Sequence, residues 1–163
     1  MIYLFHKISI RGIKTADIKS KFDYIVLLAD TLDENGIDCF KFPKAVSDEQ
    51  IKEWESTHNA KLPQGYKDFI LLANGFDNHG SEIYQLEQVV KLNEFPEEFK
   101  GYYAIGGYIG DGSLILSDDN GEFYYGDHTF GLEKSTFEDF LDKWIIKEME
   151  ESLQDNGVEI PEH

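Results

Sequence analysis

Residues 114–125 read Leu-Ile-Leu-Ser-Asp-Asp-Asn-Gly-Glu-Phe-Tyr-Tyr, and this stretch decides the fold class of the chain. Two β-type runs, Leu114 to Ser117 and Phe123 to Tyr125, flank the pair Asn120-Gly121. Because Asn-Gly accepts the positive φ angles of a tight turn, the pattern predicts a β-hairpin. The hairpin is expected to extend an antiparallel sheet, whose earlier strand-like runs lie at 82–86 and 102–106.

Helical patterns precede the predicted sheet. From Thr15 onward, apolar residues recur at intervals of three and four, the period of an amphipathic helix, until Asn35-Gly36 supplies a helix end. A second helix is expected to begin at the capping box formed by Ser47 and Gln50. Pro63 suits the first turn of a third helix, which the Asn74-Gly75 pair closes.

The two ends of the chain complete the fold prediction. Residues 2–10 alternate weakly and indicate a short strand, whereas Ser135 and Glu138 form a capping box for a C-terminal helix. Residues 154–163 are polar, and we expect them to form a loose acidic tail. Helices, then antiparallel strands, then a closing helix predict an α+β fold, in a single domain of 163 residues.

The charge of the chain is strongly negative and unevenly distributed. The formal net charge is −17, with 15 Lys and Arg residues against 32 Asp and Glu residues. Residues 1–45 contribute +1 and residues 46–163 contribute −18. Nucleic acid and anionic membrane surfaces both require a positive footprint, so the charge excludes nucleic-acid binding through a broad basic face and argues against a membrane partner. A small local basic patch is not excluded by this argument.

The single cysteine and the N-terminal residues predict a cytoplasmic protein. Cys39 has no second cysteine with which to form an internal disulfide, which favours a reducing compartment. The apolar run from Met1 to Phe5 is too short for a signal-peptide core, and no stretch is long enough to span a membrane.

Three motifs suggest chemistry, and each fails on spacing. The glycines at 106–112 match neither a dinucleotide fingerprint nor a P-loop, and the acidic run at 118–122 does not have the ligand spacing of an EF-hand. Asp127 and His128 are adjacent, but neighbours on a strand point to opposite faces. We therefore predict no catalytic residue, no metal site and no cofactor.

Tyrosines and carboxylates concentrate in the strand region, and they leave two interpretations open. The tyrosines either pack across strands with their hydroxyl groups in water, or form an exposed aromatic surface suited to a basic protein. Under the second interpretation, surrounding carboxylates steer association. The predicted partner-binding residues are Asp111, Asp118, Asp119, Glu122, Tyr124 and Asp127.

Several of these features together resemble the SUKH superfamily, which includes the fungal Smi/Knr cell-wall regulators and many bacterial immunity proteins. The resemblance covers residues 40–146, whereas residues 1–39 fall outside it and are expected to pack on this core as an extension. It is carried by Phe42-Pro43, by Ile51, Trp54 and Glu55, by Leu62-Pro63, Tyr66, Phe69 and Asn74-Gly75, and downstream by Ile105-Gly106, the hairpin and the run Ser135 to Leu141.

The resemblance implies an α+β domain with a bent antiparallel sheet, flanking helices and no catalytic residues. It implies structural roles for Trp54, Leu62, Tyr66 and Phe69 in the core, and a protein partner. The leading hypothesis is an immunity protein that neutralises a basic, nuclease-type toxin. The alternatives are a Smi/Knr-type regulatory or scaffolding domain and, third, a hydrolase built on scattered carboxylates with Asp127 and His128. The sequence leaves the oligomeric state, the identity of the toxin and the binding surface open.

Overall fold

The computed structural model describes the backbone of residues 2–108 and 110–163, and side chains from residue 18 onward within those ranges. Its helices are α1 (Ile2–Glu34), α2 (Asp48–His58), α3 (Gln64–Ile70), α4 (Phe137–Phe140) and α5 (Lys147–Asp155), with a π-helical segment, Leu141–Ile146, joining the last two. The strands are β1 (Phe76–Asp77), β2 (Ser81–Ile83), β3 (Val90–Lys91), β4 (Tyr103–Tyr108), β5 (Leu114–Ser117), β6 (Phe123–Asp127) and β7 (Gly131–Ser135). The α+β class predicted from the sequence is confirmed.

The seven strands form one antiparallel sheet in the order β1-β2-β4-β5-β6-β7, and β3 pairs with β4 beside β2. The predicted hairpin is its centre, where Leu114 pairs with Gly126 and Ser117 pairs with Phe123. The register between β4 and β5 shifts between Ala104 and Gly106, which places a bulge at Ile105.

One face of the sheet, the inner face, packs against the helices. It carries Tyr103, Ile105, Ile115 and Phe123, all of which belong to the main core. The helices contribute fully buried side chains to the same core, among them Ile25 and Leu32 on α1, Tyr66 and Phe69 on α3, and Phe140 and Ile145 near the C-terminus. The described part of α1 therefore belongs to the same core as Trp54, Tyr66 and Phe69.

The predicted strand over residues 2–10 is wrong, because α1 begins at Ile2 and continues to Glu34. No proline interrupts residues 2–34, and the first Asn-Gly pair of the chain is Asn35-Gly36. The helix therefore runs through the weakly alternating segment and ends where the stop signal occurs, with Gly36 at a φ of +65°.

Of the two capping boxes predicted from the sequence, the structure has the first, and the second helix is capped one residue later than predicted. The Ser47 hydroxyl accepts the backbone N–H of Gln50 at 3.2 Å, and the Gln50 side chain accepts the N–H of Ser47 at 2.8 Å, so the predicted capping box is confirmed. At α4 the cap is Thr136, whose hydroxyl accepts the N–H of Asp139. The box predicted one residue earlier is wrong, because the Ser135 hydroxyl bonds to the Asp139 carboxylate instead.

The C-terminal residues differ from the loose tail that their polarity suggests. Val158 and Ile160 pack against the main core, and the N–H of Val158 donates to the carbonyl of Leu153 at 2.9 Å. The ring of His163 stacks on Tyr24 of α1, with 4.5 Å between centroids. Two apolar side chains and one aromatic contact are enough to hold this short segment against the helical layer.

Candidate protein-binding surface

The tip of the β5–β6 hairpin carries three of the predicted partner-binding carboxylates. Asp118 is half-buried, and its Oδ1 atom accepts the backbone N–H groups of Asn120 and Glu122, each at 2.9 Å. Asp119 and Glu122 are exposed, and Glu122 pairs with Lys134 at 3.0 Å. Asp118 therefore closes the turn, while Asp119 presents its carboxylate to solvent.

The hairpin tip also contacts the segment between α2 and α3. The N–H of Lys61 donates to the carbonyl of Asp119 at 2.8 Å. Gly121 has a φ of +80°, and a Cβ atom there would lie 2.8 Å from the Leu62 carbonyl oxygen. The close approach requires glycine and fixes the position of the acidic tip.

Asp127 and Asp111 lie at the opposite end of the same strands. The Asp127 carboxylate accepts the N–H groups of Phe130 and Thr129, and these bonds lower its pKa. Ser113 connects the two acids, because its N–H donates to Asp111 at 2.8 Å and its hydroxyl lies 3.4 Å from Asp127. The predicted residues thus form two groups, roughly 15 Å apart along β6.

Asp127 and His128 do not form a base and its orienting carboxylate. The His128 Nδ1 atom lies 2.7 Å from Glu98 Oε1, while Asp127 holds the turn. The His128 and Glu98 side chains are 47% and 45% exposed, and this hydrogen bond lowers the pKa of Glu98. His128 and Glu98 both lie in contact with solvent, and Asp127 is used to hold the turn. This geometry gives no support to the hydrolase hypothesis.

The tyrosines divide between the two faces of the sheet. Tyr103 is buried on the inner face against Trp54, at 5.2 Å between centroids, and the Tyr125 hydroxyl donates to Asp139 at 3.3 Å. Tyr102 and Tyr124 lie on the other face, the outer face, in an edge-to-face contact at 5.5 Å. Packing across strands therefore describes both sets of tyrosines, and Tyr102 and Tyr124 are half-buried on the outer face. A role of that face in binding a basic protein stays a prediction.

The outer face has its own small apolar cluster. Phe99, Ala104 and Leu116 are buried there, and half-buried side chains surround them: Tyr84, Leu92, Tyr102, Leu114 and Tyr124. Among the side chains that the structure describes, no member of this cluster belongs to a helix from α1 to α5. The covering element is the 3₁₀ turn Glu97–Phe99, whose Phe99 lies over Gly126.

Two exposed aromatic residues lie in segments that flank this cluster, and no sequence pattern marks them. Phe95 is 84% exposed and Phe130 is 88% exposed. Both lie in connections without periodicity, so no helical or strand pattern marks them. The available signal is local, because Phe95 stands between Glu94 and Pro96, where no core-forming run continues.

The described residues form clefts but no cluster of metal ligands. Among residues 18–108 and 110–163, no group of three or more His, Cys, Asp and Glu side chains is placed to hold a metal ion. A cleft of about 640 Å³ lies beside α2, where His58 stacks on Trp54 at 4.0 Å. Its Asn74 already accepts from the Leu86 N–H and donates to Glu87. Among the described helices, none has the length and apolar character that crossing a membrane requires.

The residues between α2 and β1 that carried the family resemblance have structural roles. Glu55 is 8% exposed, and its Oε2 atom accepts the N–H of Leu62 at 2.8 Å and lies 3.4 Å from Lys67 Nζ. The Tyr66 hydroxyl donates to the carbonyl of Tyr84 at 2.7 Å, and burial raises the pKa of Tyr66. These contacts join α2 and α3 to the sheet.

Comparison with known proteins agrees with this architecture. Residues 45–156, well over half of the chain, match the SMI1 / KNR4 family, also called SUKH-1. The chain belongs to the SMI1/KNR4 family. A curated relative, an uncharacterized protein named YnaB from Bacillus subtilis strain 168, is 33% identical over 78 residues. That match covers 47% of this chain and 54% of YnaB, so the chain spans about half the length of the relative.

Proposed function

We propose that this member of the SMI1/KNR4 family is a non-enzymatic bacterial immunity protein, which binds a basic, nuclease-type toxin and neutralises it. The observation that carries the proposal is the charge of the sheet region. Residues 81–135, which include six of the seven strands, contain eleven acidic and three basic residues, a net charge of −8. The fold therefore presents a negative surface around an aromatic face.

A negative surface suits an inhibitor of a nuclease for an electrostatic reason. An enzyme that holds phosphate groups needs cationic side chains, and an acidic protein competes for the same side chains. Opposite charge also raises the rate of diffusional encounter, which favours fast capture of a lethal enzyme.

Exposed side chains of this chain would bind the toxin, and the catalytic groups would belong to the toxin alone. Asp119 and Glu122 at the hairpin tip are exposed enough to steer a cationic protein. Asp118 and Asp127 contribute charge while their oxygen atoms hold turns. Tyr124 lies on the outer face, and Asp111 is exposed in the turn between β4 and β5.

The test begins with a screen of the proteins encoded by the genes that flank the gene of this chain for a nuclease domain, here called the candidate toxin. We expect the purified chain to abolish the nuclease activity of that domain and to bind it with an affinity that falls as salt rises. D119K/E122K should associate several-fold more slowly at low salt. The matched control is E159K/E162K, which makes the same charge change on exposed residues near the C-terminus and should lie close to the unmodified chain.

The outcomes separate the hypotheses. Full nuclease activity in the presence of excess chain would contradict the immunity role. Binding to a signalling protein without effect on the toxin would favour the regulatory or scaffolding role instead. Equal slowing by both double variants would show that net charge acts alone, without a contribution from the hairpin tip.

A further inference from the structure

Phe95 and Phe130 are the most exposed apolar side chains that the structure describes. Their exposures are 84% and 88%, whereas Val90, the next in the ranking, is 54% exposed. Single exposed apolar residues are common on protein surfaces, whereas exposed apolar patches with a polar border mark interaction sites.

The two phenylalanines project from segments that are fixed to each other. Phe95 precedes the turn Glu97–Phe99, and Phe130 ends the β6–β7 turn that the Asp127 carboxylate holds. Glu98 bonds to His128 at 2.7 Å, and the His128 ring lies 5.6 Å from the buried ring of Phe99. The bases of both exposed side chains are therefore anchored, which reduces the entropy lost when a partner binds.

The charge around the two rings selects the kind of partner. Residues 93–99 and 127–133, here called the two-phenylalanine surface, contain five carboxylates and no Lys or Arg. Glu94 and Glu97 are exposed and their carboxylates have no ion pair among the described residues. A second copy of this chain would bring the same five carboxylates against these, so like-charge repulsion opposes self-association.

We propose that the two-phenylalanine surface docks a basic face of the toxin, with Phe95 and Phe130 inserted into apolar depressions and the carboxylates paired with surrounding Lys and Arg side chains. The proposal rests on the immunity function above and adds the surface and its anchors. Aromatic anchors supply most of the affinity of an interface, and a charged border excludes unsuitable partners.

This assignment gives the two ends of β6 different tasks. The hairpin tip, which includes Asp119 and Glu122, acts on the association rate. The two-phenylalanine surface acts on the dissociation rate, because its rings leave water only in the docked complex. The His128–Glu98 pair positions the anchors without itself needing to touch the partner.

The experiment compares F95A/F130A with the unmodified chain in binding to a catalytically inactivated form of the candidate toxin. Both positions are exposed, so the thermal midpoint of the variant is expected to stay close to that of the unmodified chain. The affinity should fall by about 100-fold or more, mainly through faster dissociation. The matched control is L27A/L71A, which removes two exposed leucines on the helical layer, each 37% exposed, and should change the affinity by less than about twofold.

A second arm tests the positioning pair. H128A should weaken binding by about tenfold while leaving the nuclease-inhibition endpoint attainable at higher concentration. A lysozyme preparation serves as a non-cognate basic protein, and its weak binding should be the same for the unmodified chain and F95A/F130A.

Two failures can be told apart. If the unmodified chain does not bind the toxin, the proposed function fails and this surface assignment fails with it. If the unmodified chain binds and F95A/F130A binds equally well, the immunity role stands and the two-phenylalanine surface is overturned. A loss as large in L27A/L71A would also contradict it, because the helical layer would then carry the interface.

Discussion

Two regions of this domain use the same residue types in opposite ways. In the α2–α3 region, residues 48–75, Phe69 is fully buried and the Glu55 carboxylate has backbone and lysine partners. In the two-phenylalanine surface, Phe95 is almost fully exposed and Glu97 has no ion pair among the described residues. The first region has satisfied its apolar and polar groups within the fold, whereas the second retains groups that a partner can still satisfy.

The largest expected effect concerns the two phenylalanines just compared. Phe69→Ala should destabilise the chain by about 3–5 kcal/mol, because it leaves a cavity beside the rings of Phe22 and Phe137. Phe95→Ala should change the free energy of unfolding by no more than about 0.5 kcal/mol. Urea denaturation of both variants measures the contrast, and similar losses would contradict the division between the regions.

The next effect concerns the buried carboxylate. Glu55→Ala should cost about 1–3 kcal/mol, since it removes the acceptor of the Leu62 N–H. Glu55→Gln keeps an acceptor at the same position and should recover part of the loss. Glu53→Ala, on the exposed side of the same helix, is the control and should be nearly neutral in the same urea titration.

A smaller effect is expected where the sheet supports the two-phenylalanine surface. Gly126→Ala places a Cβ atom 2.7 Å from Leu116 Cδ1 and 3.1 Å from the Phe99 ring. We expect a loss of about 1–3 kcal/mol from overpacking. Leu116→Val removes the nearest atom, so the double variant should be less destabilised than the sum of the single variants. Strict additivity in thermal denaturation would show that Leu116 is not the side chain that clashes.

The smallest expected effect is a pH dependence at Glu148. Its carboxylate accepts from Asn78 at 3.0 Å and lies 3.3 Å from the Ser81 hydroxyl, while burial raises its pKa. A raised pKa in the folded state stabilises the fold below the pKa of the unfolded chain, and this stabilisation is lost as pH rises through the folded value. Glu148→Gln should therefore gain stability relative to the unmodified chain at neutral pH and match it in acid. The opposite trend in urea midpoints would contradict this assignment.

The parts of the fold that the sequence predicted are those with local signals. The Ser47–Gln50 box, the turn at Asn120-Gly121 and the helix end at Asn35-Gly36 each depend on neighbouring residues alone, and the structure has all three. The strand expected over residues 2–10 was wrong because weak alternation has no comparable local cause. Sequence periodicity could not decide which tyrosines face outward. Alternation puts Tyr102 and Tyr103 on opposite faces of the sheet, and likewise Tyr124 and Tyr125, but it does not say which face the helices cover.

The candidate surface was less predictable for a physical reason. An exposed carboxylate and one that holds a turn are the same residue in the sequence, so Asp119 and Asp118 could not be distinguished. The segments that carry Phe95 and Phe130 are far apart in the sequence, and they are joined chiefly by the hydrogen bond between His128 and Glu98. Only the folded arrangement brings 93–99 beside 127–133.

The α2–α3 region holds the fold, and under our proposal the two-phenylalanine surface binds the partner. Amide hydrogen exchange of the chain, followed by mass spectrometry with and without the candidate toxin, tests this division directly. We expect slower exchange on binding in residues 93–101 and 127–133, with α2 and α3 unchanged. Protection confined to α2 and α3, or to the hairpin tip at 118–122, would contradict it.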